Sequence, residues 1–423
     1  MTLQDDRQAE PSPRATVTTA ASPPSPDNAE ATGGPPAIGR AVLLLGIAAF
    51  ASVATMRVAD PLIPQIANEM RGSAGDAAVI SSAFTIAYAI GQFVYGPLGD
   101  RFGKLRMVAL MTLISAFTVS AAGFAGSLSS LGLLRFAGGA TAAAIVPLSM
   151  AFIGDHVAYE QRQAMLARML SGTIMGVILG QVLGGLIGEH LGWRAVFPML
   201  GSVMLVISLL LFRELRRGRL PPPRLTPSIS FSSLIDGYRR LFQRPWARIV
   251  LAVVFVEGVF FYGAFTFIGA DLHQRFGLDY GMVGLFLGFM GVGGLAYAAS
   301  VRLMVSRLGE RGLSSLGGFL VATGLALTPF APLPLVAFCQ FVLGLGLYML
   351  HSTLQTNATQ MAPDARGLAV STFANALFLG QAAGITGSGL LVDRYGFVPS
   401  YLIAAAGLLV LGLIFSRLLD RRG

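Results

Sequence analysis

The sequence predicts an all-α membrane protein in which twelve transmembrane helices form two pseudo-symmetric six-helix bundles around a central cavity. The first observation behind this prediction is composition: 54% of the 423 residues are hydrophobic, 12% are charged, and the mean hydropathy is +0.68. Soluble domains usually contain about 25% charged residues, so most soluble enzymes and any intrinsically disordered chain are excluded. The other two observations are a regular series of apolar segments and a similarity between the two halves of the chain.

Residues 1–37 are rich in Pro, Ala, Ser and Thr and show no helical apolar periodicity. This composition predicts a disordered cytoplasmic tail. The tail lacks the basic start and short apolar core of a secretory signal peptide.

From Ile38 onward, apolar segments alternate with short polar breaks. A helix of about 20 residues crosses a hydrocarbon core of about 30 Å, and each segment is long enough to do so. The short loops leave no room for a soluble catalytic domain. The predicted segments are 38–66, 78–98, 107–126, 130–153, 164–189, 195–213, 247–270, 281–301, 313–331, 334–359, 368–391 and 398–417.

The one long break, 214–246, divides the segments into two sets of six. It contains Pro221-Pro222-Pro223 and an amphipathic stretch from Leu234 to Trp246. The sequence therefore predicts bundles at 38–213 and 247–418, a cytoplasmic linker between them and a cytoplasmic tail at 419–423.

The distribution of basic residues predicts the orientation. With a cytoplasmic N-terminus, only four of the 30 basic residues fall in outer loops: Arg71, Arg194, Arg275 and Arg394. Cytoplasmic loops of membrane proteins are enriched in Lys and Arg, so we expect an inner (plasma) membrane protein with both termini in the cytoplasm. The net charge of +9 then faces anionic lipid rather than nucleic acid.

Enzymatic and cofactor-dependent functions find no support in the sequence. The single Cys339 excludes an internal disulfide framework, and the four histidines are too far apart in sequence for helical metal-ligand spacing. No Walker-type phosphate loop and no nucleophile–base–acid constellation are found. We therefore expect no enzyme, no metal and no cofactor, and any uphill movement of a solute would have to be driven by an ion gradient rather than by ATP.

The two halves resemble each other around helices 5 and 11. Gly180-Gln181-x-x-Gly184 in the first half corresponds to Gly380-Gln381-x-x-Gly384 in the second. Parallel repeats of six helices are typical of transporters with a single site between the halves.

The loop between helices 2 and 3 reads Gly-Pro-Leu-Gly-Asp-Arg-Phe-Gly-Lys-Leu-Arg over residues 96–106. It resembles the signature loop of the major facilitator superfamily, and five residues match that signature: Gly96, Asp100, Arg101, Gly103 and Lys104. We expect Gly96 to permit close helix approach and Gly103 a tight reversal. We expect Asp100 to face a helix N-terminus and the basic residues to anchor at the inner leaflet.

Two further motifs extend the resemblance over residues 38–420. Arg135 and Gly139 are similar to the family's Arg-x-x-x-Gly motif in helix 4. Helix 5 resembles the signature of the twelve-helix drug and sugar:proton antiporters, with Gln181 where that signature has proline. The resemblance implies a monomeric efflux transporter, while the proline replacement keeps import open.

Helix 5 also carries glycines at every fourth position: Gly172, Gly176, Gly180, Gly184 and Gly188. Small residues at this spacing let helix backbones touch. The ladder predicts either a sliding surface between the halves or static close packing.

Glu257, about ten residues into helix 7, is expected near the membrane midplane, where transporter sites lie. Ionisable residues inside a membrane span are costly and often functional, so Glu257 is the first candidate for proton coupling. The alternative is a neutral carboxyl hydrogen-bonded to another helix.

The remaining intramembrane candidates are polar residues at helical spacing. Arg57 and Asp60 form a predicted pair on helix 1, with snorkelling to the outer interface as the alternative. The proton-coupling candidates are Glu257, Asp60, Arg135 and His351. The substrate-cavity candidates are Arg57, Tyr88, Gln92, Tyr262, Tyr348 and Gln355.

Three functions are consistent with these observations. The leading hypothesis is proton-coupled export of small organic compounds by alternating access. The second is proton-linked uptake of a sugar or an organic anion, for which Arg57 and Arg135 could bind the anion. The third is a non-transporting membrane sensor or assembly partner that docks through 214–246. The partners expected for a transporter are a small-molecule substrate, protons and the lipid bilayer.

Overall fold

The computed structural model describes residues 36–157, 159–217 and 231–420. All but two residues of the predicted tail 1–37 lie outside these ranges, as do 218–230 of the predicted linker and 421–423. The described residues form fourteen α-helices: α1 Pro36–Arg57, α2 Ile63–Glu69, α3 Ala74–Phe102, α4 Lys104–Ala122, α5 Leu128–Ala142, α6 Ile145–His156, α7 Tyr159–Leu191, α8 Trp193–Arg216, α9 Phe231–Gln243, α10 Pro245–Phe276, α11 Tyr280–Leu327, α12 Leu333–Gln360, α13 Arg366–Tyr395 and α14 Phe397–Asp420.

These helices make the twelve predicted membrane crossings. Within the described ranges, eleven helical stretches are long and apolar enough to span a membrane. One of them, α11, is 48 residues long and crosses twice, because Gly309 adopts φ 61° and ψ 178° and reverses the chain within it. The predicted all-α fold of twelve spans is therefore confirmed.

The first crossing is interrupted rather than continuous. It consists of α1, a 3₁₀ turn from Asp60 to Leu62, and α2. Pro61 and Pro64 lie at the starts of the two later pieces, and proline cannot donate the amide hydrogen bond of a continuing helix. The interruption leaves backbone carbonyls at the end of α1 without partners in their own helix, which matters for the site described below.

The crossings alternate in direction, so the described chain begins and ends on the same side. We call the side with Pro36 and Asp420 the terminal end and the opposite side the distal end. At the terminal end, α3 turns into α4 at Gly103, whose φ of 92° is a conformation that favours glycine. The tight reversal predicted at Gly103 is therefore present.

Each half buries its own hydrophobic core, and the core of the first half also includes Phe267 of α10 and Ile385 and Val392 of α13. Two seams join the halves directly. In one seam α7 packs on α11, and in the other α3 packs on α13. The seam contacts run through the distal parts of these helices, for example Ser82 on Ala382 and Gln181 on Gly284.

The glycine ladder predicted on helix 5 lies on α7, and it packs against α1 of the same half. A Cβ atom at Gly176 would lie 2.6 Å from the Phe50 carbonyl oxygen, and one at Gly184 would lie 2.5 Å from that of Val58. Only glycine permits this backbone approach. In the second half, Gly380 and Gly384 of α13 pack in the same way on Phe255 and Val259 of α10.

The interpretation of the ladder as a sliding surface between the halves is wrong. The surface of α7 that faces α11 carries Ile178, Gln181 and Val182, which contact glycines of the partner helix at Gly284 and Gly288. The small residues that shape this seam are Gly284 and Gly288 of α11 and Gly185 of α7, which is not part of the ladder, while the ladder itself packs within one bundle.

The close helix approach predicted at Gly96 is also wrong. A Cβ atom there would have no other atom within 4 Å. The residue that follows is Pro97, inside α3. A side chain before proline disfavours the helical conformation, so the missing Cβ relieves a local clash with the proline ring rather than an inter-helix contact.

Candidate functional site

Glu257 and His351 form a pair inside the second half. Glu257 is on α10 and His351 on α12, 94 residues apart in sequence, and Nδ1 of His351 lies 2.9 Å from Oε2 of Glu257. The Glu257 side chain is 1% exposed, whereas that of His351 is 24% exposed. The second carboxylate oxygen, Oε1, is buried without a hydrogen-bond partner among the described residues. The pair therefore joins a buried proton acceptor to an imidazole that reaches open space.

Arg57 and Asp60 form the predicted pair in the first half. Nη1 of Arg57 lies 3.5 Å from Oδ2 of Asp60, and the Ser81 hydroxyl approaches Oδ1 at 3.4 Å. Both charged side chains are buried, so Arg57 does not reach an outer interface. The interruption after α1 places Asp60 on the 3₁₀ turn, which brings its carboxylate back towards the end of α1.

Arg135 of α5 is held by the backbone of that same helix end. Its Nη1 donates to the Thr55 carbonyl at 2.8 Å and its Nη2 to that of Met56 at 3.4 Å. The guanidinium also lies 4.3 Å from the centre of the Phe84 ring. Arg135 thus satisfies carbonyls that the end of α1 leaves free.

Arg57 connects the two halves. Its guanidinium lies 4.2 Å from the centre of the Tyr262 ring on α10, a cation–π contact. Tyr262 lies on α10, the helix of Glu257, and Tyr348 lies on α12, the helix of His351. We refer to six of the predicted site residues as the central group: Arg57 and Asp60 of the first half, and Glu257, Tyr262, Tyr348 and His351 of the second.

Three of the predicted cavity residues lie elsewhere. Tyr88 is buried in a seam, with its ring centre 4.9 Å from that of Phe378 on α13. Gln92 is half-buried further along α3, and Gln355 is exposed one turn beyond His351. The structure brings neither glutamine into contact with the central group.

The signature loop forms a charge cluster at the terminal end. Nζ of Lys104 lies 2.8 Å from Oδ1 of Asp100 and 2.6 Å from Oδ2 of Asp155 at the end of α6. Asp100 thus lies beside the first residue of α4, near that helix N-terminus. Arg101 is exposed and lies over the Phe102 ring.

Sequence reasoning missed two carboxylates that join the halves at the distal end. Glu189 of α7 accepts a hydrogen bond from the backbone amide of Tyr280, the first residue of α11, at 2.8 Å. Asp393 of α13 accepts one from the amide of Gly75 at 3.0 Å and one from the Ser73 hydroxyl at 2.7 Å. Each carboxylate lies at the N-terminus of a helix in the other half, where negative charge is stabilised. No sequence pattern links partners this far apart.

The described residues contain no group of three or more His, Cys, Asp and Glu side chains that could hold a metal ion. The chemistry that this central group offers is proton binding, cation–π contact and hydrogen bonding.

Comparisons with known proteins identify the family. The chain matches the model of the Major Facilitator Superfamily over residues 45–313 and 301–423. It is 26% identical to YwfA of Bacillus subtilis (strain 168), named an uncharacterized MFS-type transporter, over 382 residues that cover 88% of this chain and 90% of YwfA. It is 31% identical to the multidrug export protein EmrB of Haemophilus influenzae over 137 residues, which cover 31% of this chain and 27% of EmrB.

The fold is also found among solved structures. The nucleoside transporter NupG superposes with a TM-score of 0.75 at 14% identity, and the match covers 89% of this chain and 98% of that one. At this identity the likeness shows the fold alone. Together with the match to the family model over nearly all of the spanning residues, it shows that the chain is a multi-pass membrane protein that belongs to the Major Facilitator Superfamily of transporters.

Proposed function

We propose that this transporter is a proton-coupled exporter of small organic compounds, located in the inner membrane with both termini in the cytoplasm. The observation that carries the proposal is the Glu257–His351 pair. It combines a buried carboxylate, an imidazole in contact with it, and partial exposure of that imidazole. Ionisable groups inside a membrane are costly and are retained mainly where they act on protons, ions or substrates.

Binding of one proton changes the net charge of the Glu257–His351 pair by one unit. With a neutral imidazole whose Nδ1–H donates to the carboxylate, the pair has a charge of −1. One additional proton, which the exposed edge of His351 can receive, makes the pair neutral. A buried carboxylate with a single hydrogen-bonded oxygen is expensive to keep charged. Protonation therefore changes the energy of the site substantially.

This change can reach the contact between the halves through α10. Tyr262 lies on the same helix as Glu257 and receives Arg57 of the first half on its ring. Alternating access requires that the contacts between halves differ in strength between two states. A proton on the Glu257–His351 pair and a substrate beside Tyr262 would act on the same inter-half contact, which is a direct basis for coupling.

Two further observations favour export, and a third favours an orientation in which the arginine-rich side faces the cytoplasm. The partial relative EmrB is named a multidrug export protein, and the glycines of α7 are similar to the antiporter signature. The arginine distribution favours cytoplasmic termini. The terminal end, with exposed Arg213, Arg216, Arg302 and Arg307, would then face the cytoplasm.

Transport in proteoliposomes loaded with a pH-sensitive dye tests the proposal. Drugs, sugars and organic acids are added under an imposed proton gradient. We expect substrate-dependent proton flux for the wild type and its loss in Glu257→Gln and in His351→Asn. Asp236→Asn, which neutralises an exposed carboxyl on α9 at the terminal end, serves as the control and keeps its flux. Flux that survives both site variants contradicts coupling through the pair, and flux lost only in Asp60→Asn assigns coupling to Asp60.

One observation favours a second candidate, proton-linked uptake of an organic anion. Arg57 is held by Asp60 only at 3.5 Å and otherwise faces an aromatic ring, so its guanidinium retains donors for a carboxylate. The two candidates differ in the gradient that drives accumulation. An exporter exchanges substrate against protons moving in the opposite direction, whereas uptake moves both in the same direction. In Arg57→Gln, uptake of an anion would weaken while transport of neutral compounds would persist.

A further inference from the structure

A groove on the flank of the first half, away from both seams, combines an apolar floor with a basic rim. It lies between α4 and α8 at the terminal end, and its volume is about 610 Å³. The floor consists of Leu113, Leu209 and Phe212, and the rim consists of Arg213, Arg216 and Arg217. We refer to these six residues as the α4–α8 groove.

The rim concentrates positive charge that the described residues neutralise only at Arg217. Residues three and four apart on a helix are neighbours, so the three guanidiniums share one face at the end of α8. Arg217 pairs with Glu214, which also approaches Arg40. Within the described ranges, the side chains of Arg213 and Arg216 make no ion pair or hydrogen bond, and both residues are exposed. Like charges at this spacing destabilise a helix, and an anion between them would relieve the repulsion.

The floor continues into a surface that faces hydrocarbon. Below the rim, α8 exposes Val203, Val206 and Leu209, and α4 exposes Leu110, Ile114 and Phe117. Leu113 lies nine residues from the start of α4, so the groove extends about 13 Å along the helix at about 1.5 Å per residue. An occupant of this groove has an anionic group at the level of the helix ends and apolar chains directed towards the middle of the membrane.

We propose that the α4–α8 groove is a binding site for an anionic phospholipid. The headgroup phosphate would lie between Arg213 and Arg216, whose planar guanidiniums bind phosphate oxygens in a bidentate manner. The acyl chains would lie along Leu113, Leu209 and Phe212. A free phosphate would use the rim but not the floor, and a zwitterionic lipid would use the floor but bring its own positive charge to the rim.

The experiment measures lipid retention by the full-length protein. The protein is purified from nanodiscs made of phosphatidylglycerol and phosphatidylcholine at a ratio of about one to four, and retained lipid is counted by native mass spectrometry. We expect wild type to retain phosphatidylglycerol preferentially, and Arg213→Gln/Arg216→Gln to retain about thirtyfold less, since two basic residues that each contribute about 1 kcal/mol to anionic lipid attraction change a binding ratio by about that factor. Arg302→Gln/Arg307→Gln removes the same charge from exposed positions of α11 at the same end and is the matched control.

A second variant tests the floor without altering charge. Leu113→Trp fills part of the groove, and we expect it to reduce phosphatidylglycerol retention while the protein keeps its melting temperature. Equal losses in both arginine double variants would show a diffuse charge effect and overturn the site. Unchanged retention in Arg213→Gln/Arg216→Gln would overturn it as well. Displacement of the lipid by millimolar inorganic phosphate would show that the rim alone binds, which would also contradict the proposal.

Discussion

Asp60 is an acidic residue buried inside the membrane-spanning region, where the side chains around it replace water. Its carboxylate is fully buried and is approached by Arg57 at 3.5 Å and Ser81 at 3.4 Å. Removing one partner of a buried pair typically costs about 3–5 kcal/mol, because an uncompensated charge remains. Neutralising both partners removes that penalty.

We therefore expect Arg57→Gln to lower the melting temperature of the purified protein more than the double variant Arg57→Gln/Asp60→Asn does. The difference, roughly 2 kcal/mol or more by the same estimate, is the cost of leaving Asp60 charged alone. Thermal unfolding of the two variants and of Asp60→Asn completes the double-mutant cycle. A double variant that melts below Arg57→Gln would show that Asp60 is not stabilised chiefly by Arg57.

Arg135 makes a different kind of contact and gives a different prediction. It donates to two carbonyls at the end of α1, so its loss leaves two buried acceptors without partners. Hydrogen bonds to a charged donor are worth about 1.5–3 kcal/mol. Arg135→Leu should therefore lower the melting temperature by several degrees, while Arg101→Leu, at an exposed position, should change it little. Equal melting temperatures would argue against a role for Arg135 in holding α1.

On the scale of helices, the decisive contacts are backbone to backbone. Gly384 of α13 packs directly on the carbonyl of Val259, whereas a Cβ atom at Gly387, one turn later on the same helix, would have no other atom within 4 Å. The same substitution should therefore have opposite effects. Overpacking costs about 1–3 kcal/mol, and replacing an unhindered helical glycine by alanine gains up to about 1 kcal/mol.

The expected result is a lower melting temperature for Gly384→Ala and an unchanged or higher one for Gly387→Ala. Gly184→Ala, at the corresponding position of the first half, should behave like Gly384→Ala, because its Cβ atom would lie 2.5 Å from the Val58 carbonyl oxygen. If Gly387→Ala is as harmful as Gly384→Ala, the packing of α13 on α10 is not what requires glycine.

The helices themselves were largely predictable from the sequence. The length of each apolar segment predicts a membrane crossing, and the signature loop predicts the chain reversal at Gly103. The sequence could not show which face of α7 packs on α1 and which on α11, because the glycines and the seam residues of α7 alternate within the same helical turns. Nor could it pair Glu257 with His351 or Glu189 with Tyr280. Such pairs depend on how helices nearly a hundred residues apart are placed side by side.

On the scale of the whole molecule, the two halves meet in a symmetric manner at the distal end. Glu189 of the first half caps α11 of the second, and Asp393 of the second half caps α3 of the first. Both carboxylates lie in the contact surface that must separate if the distal end opens. Their loss should therefore favour the state in which this end is open, without disturbing either bundle.

We expect Glu189→Gln/Asp393→Asn to increase the population of molecules open at the distal end. Each charge-assisted contact is worth about 1.5–3 kcal/mol, and even 1–2 kcal/mol changes a population ratio about five- to thirty-fold. Spin labels at Phe124→Cys and Phe330→Cys report the separation, because these distal side chains are 81% and 68% exposed and the native Cys339 is buried.

The matched control is Asp279→Asn, which removes an acidic charge beside Tyr280. Asp279 accepts from the amide of Met282 within its own half, so its loss leaves both seams intact. Electron paramagnetic resonance should show a longer distance between the labels in the Glu189→Gln/Asp393→Asn variant and not in the control. If both variants lengthen the distance equally, general acidic charge at the distal end, rather than the capping of one half by the other, sets the balance between the two states.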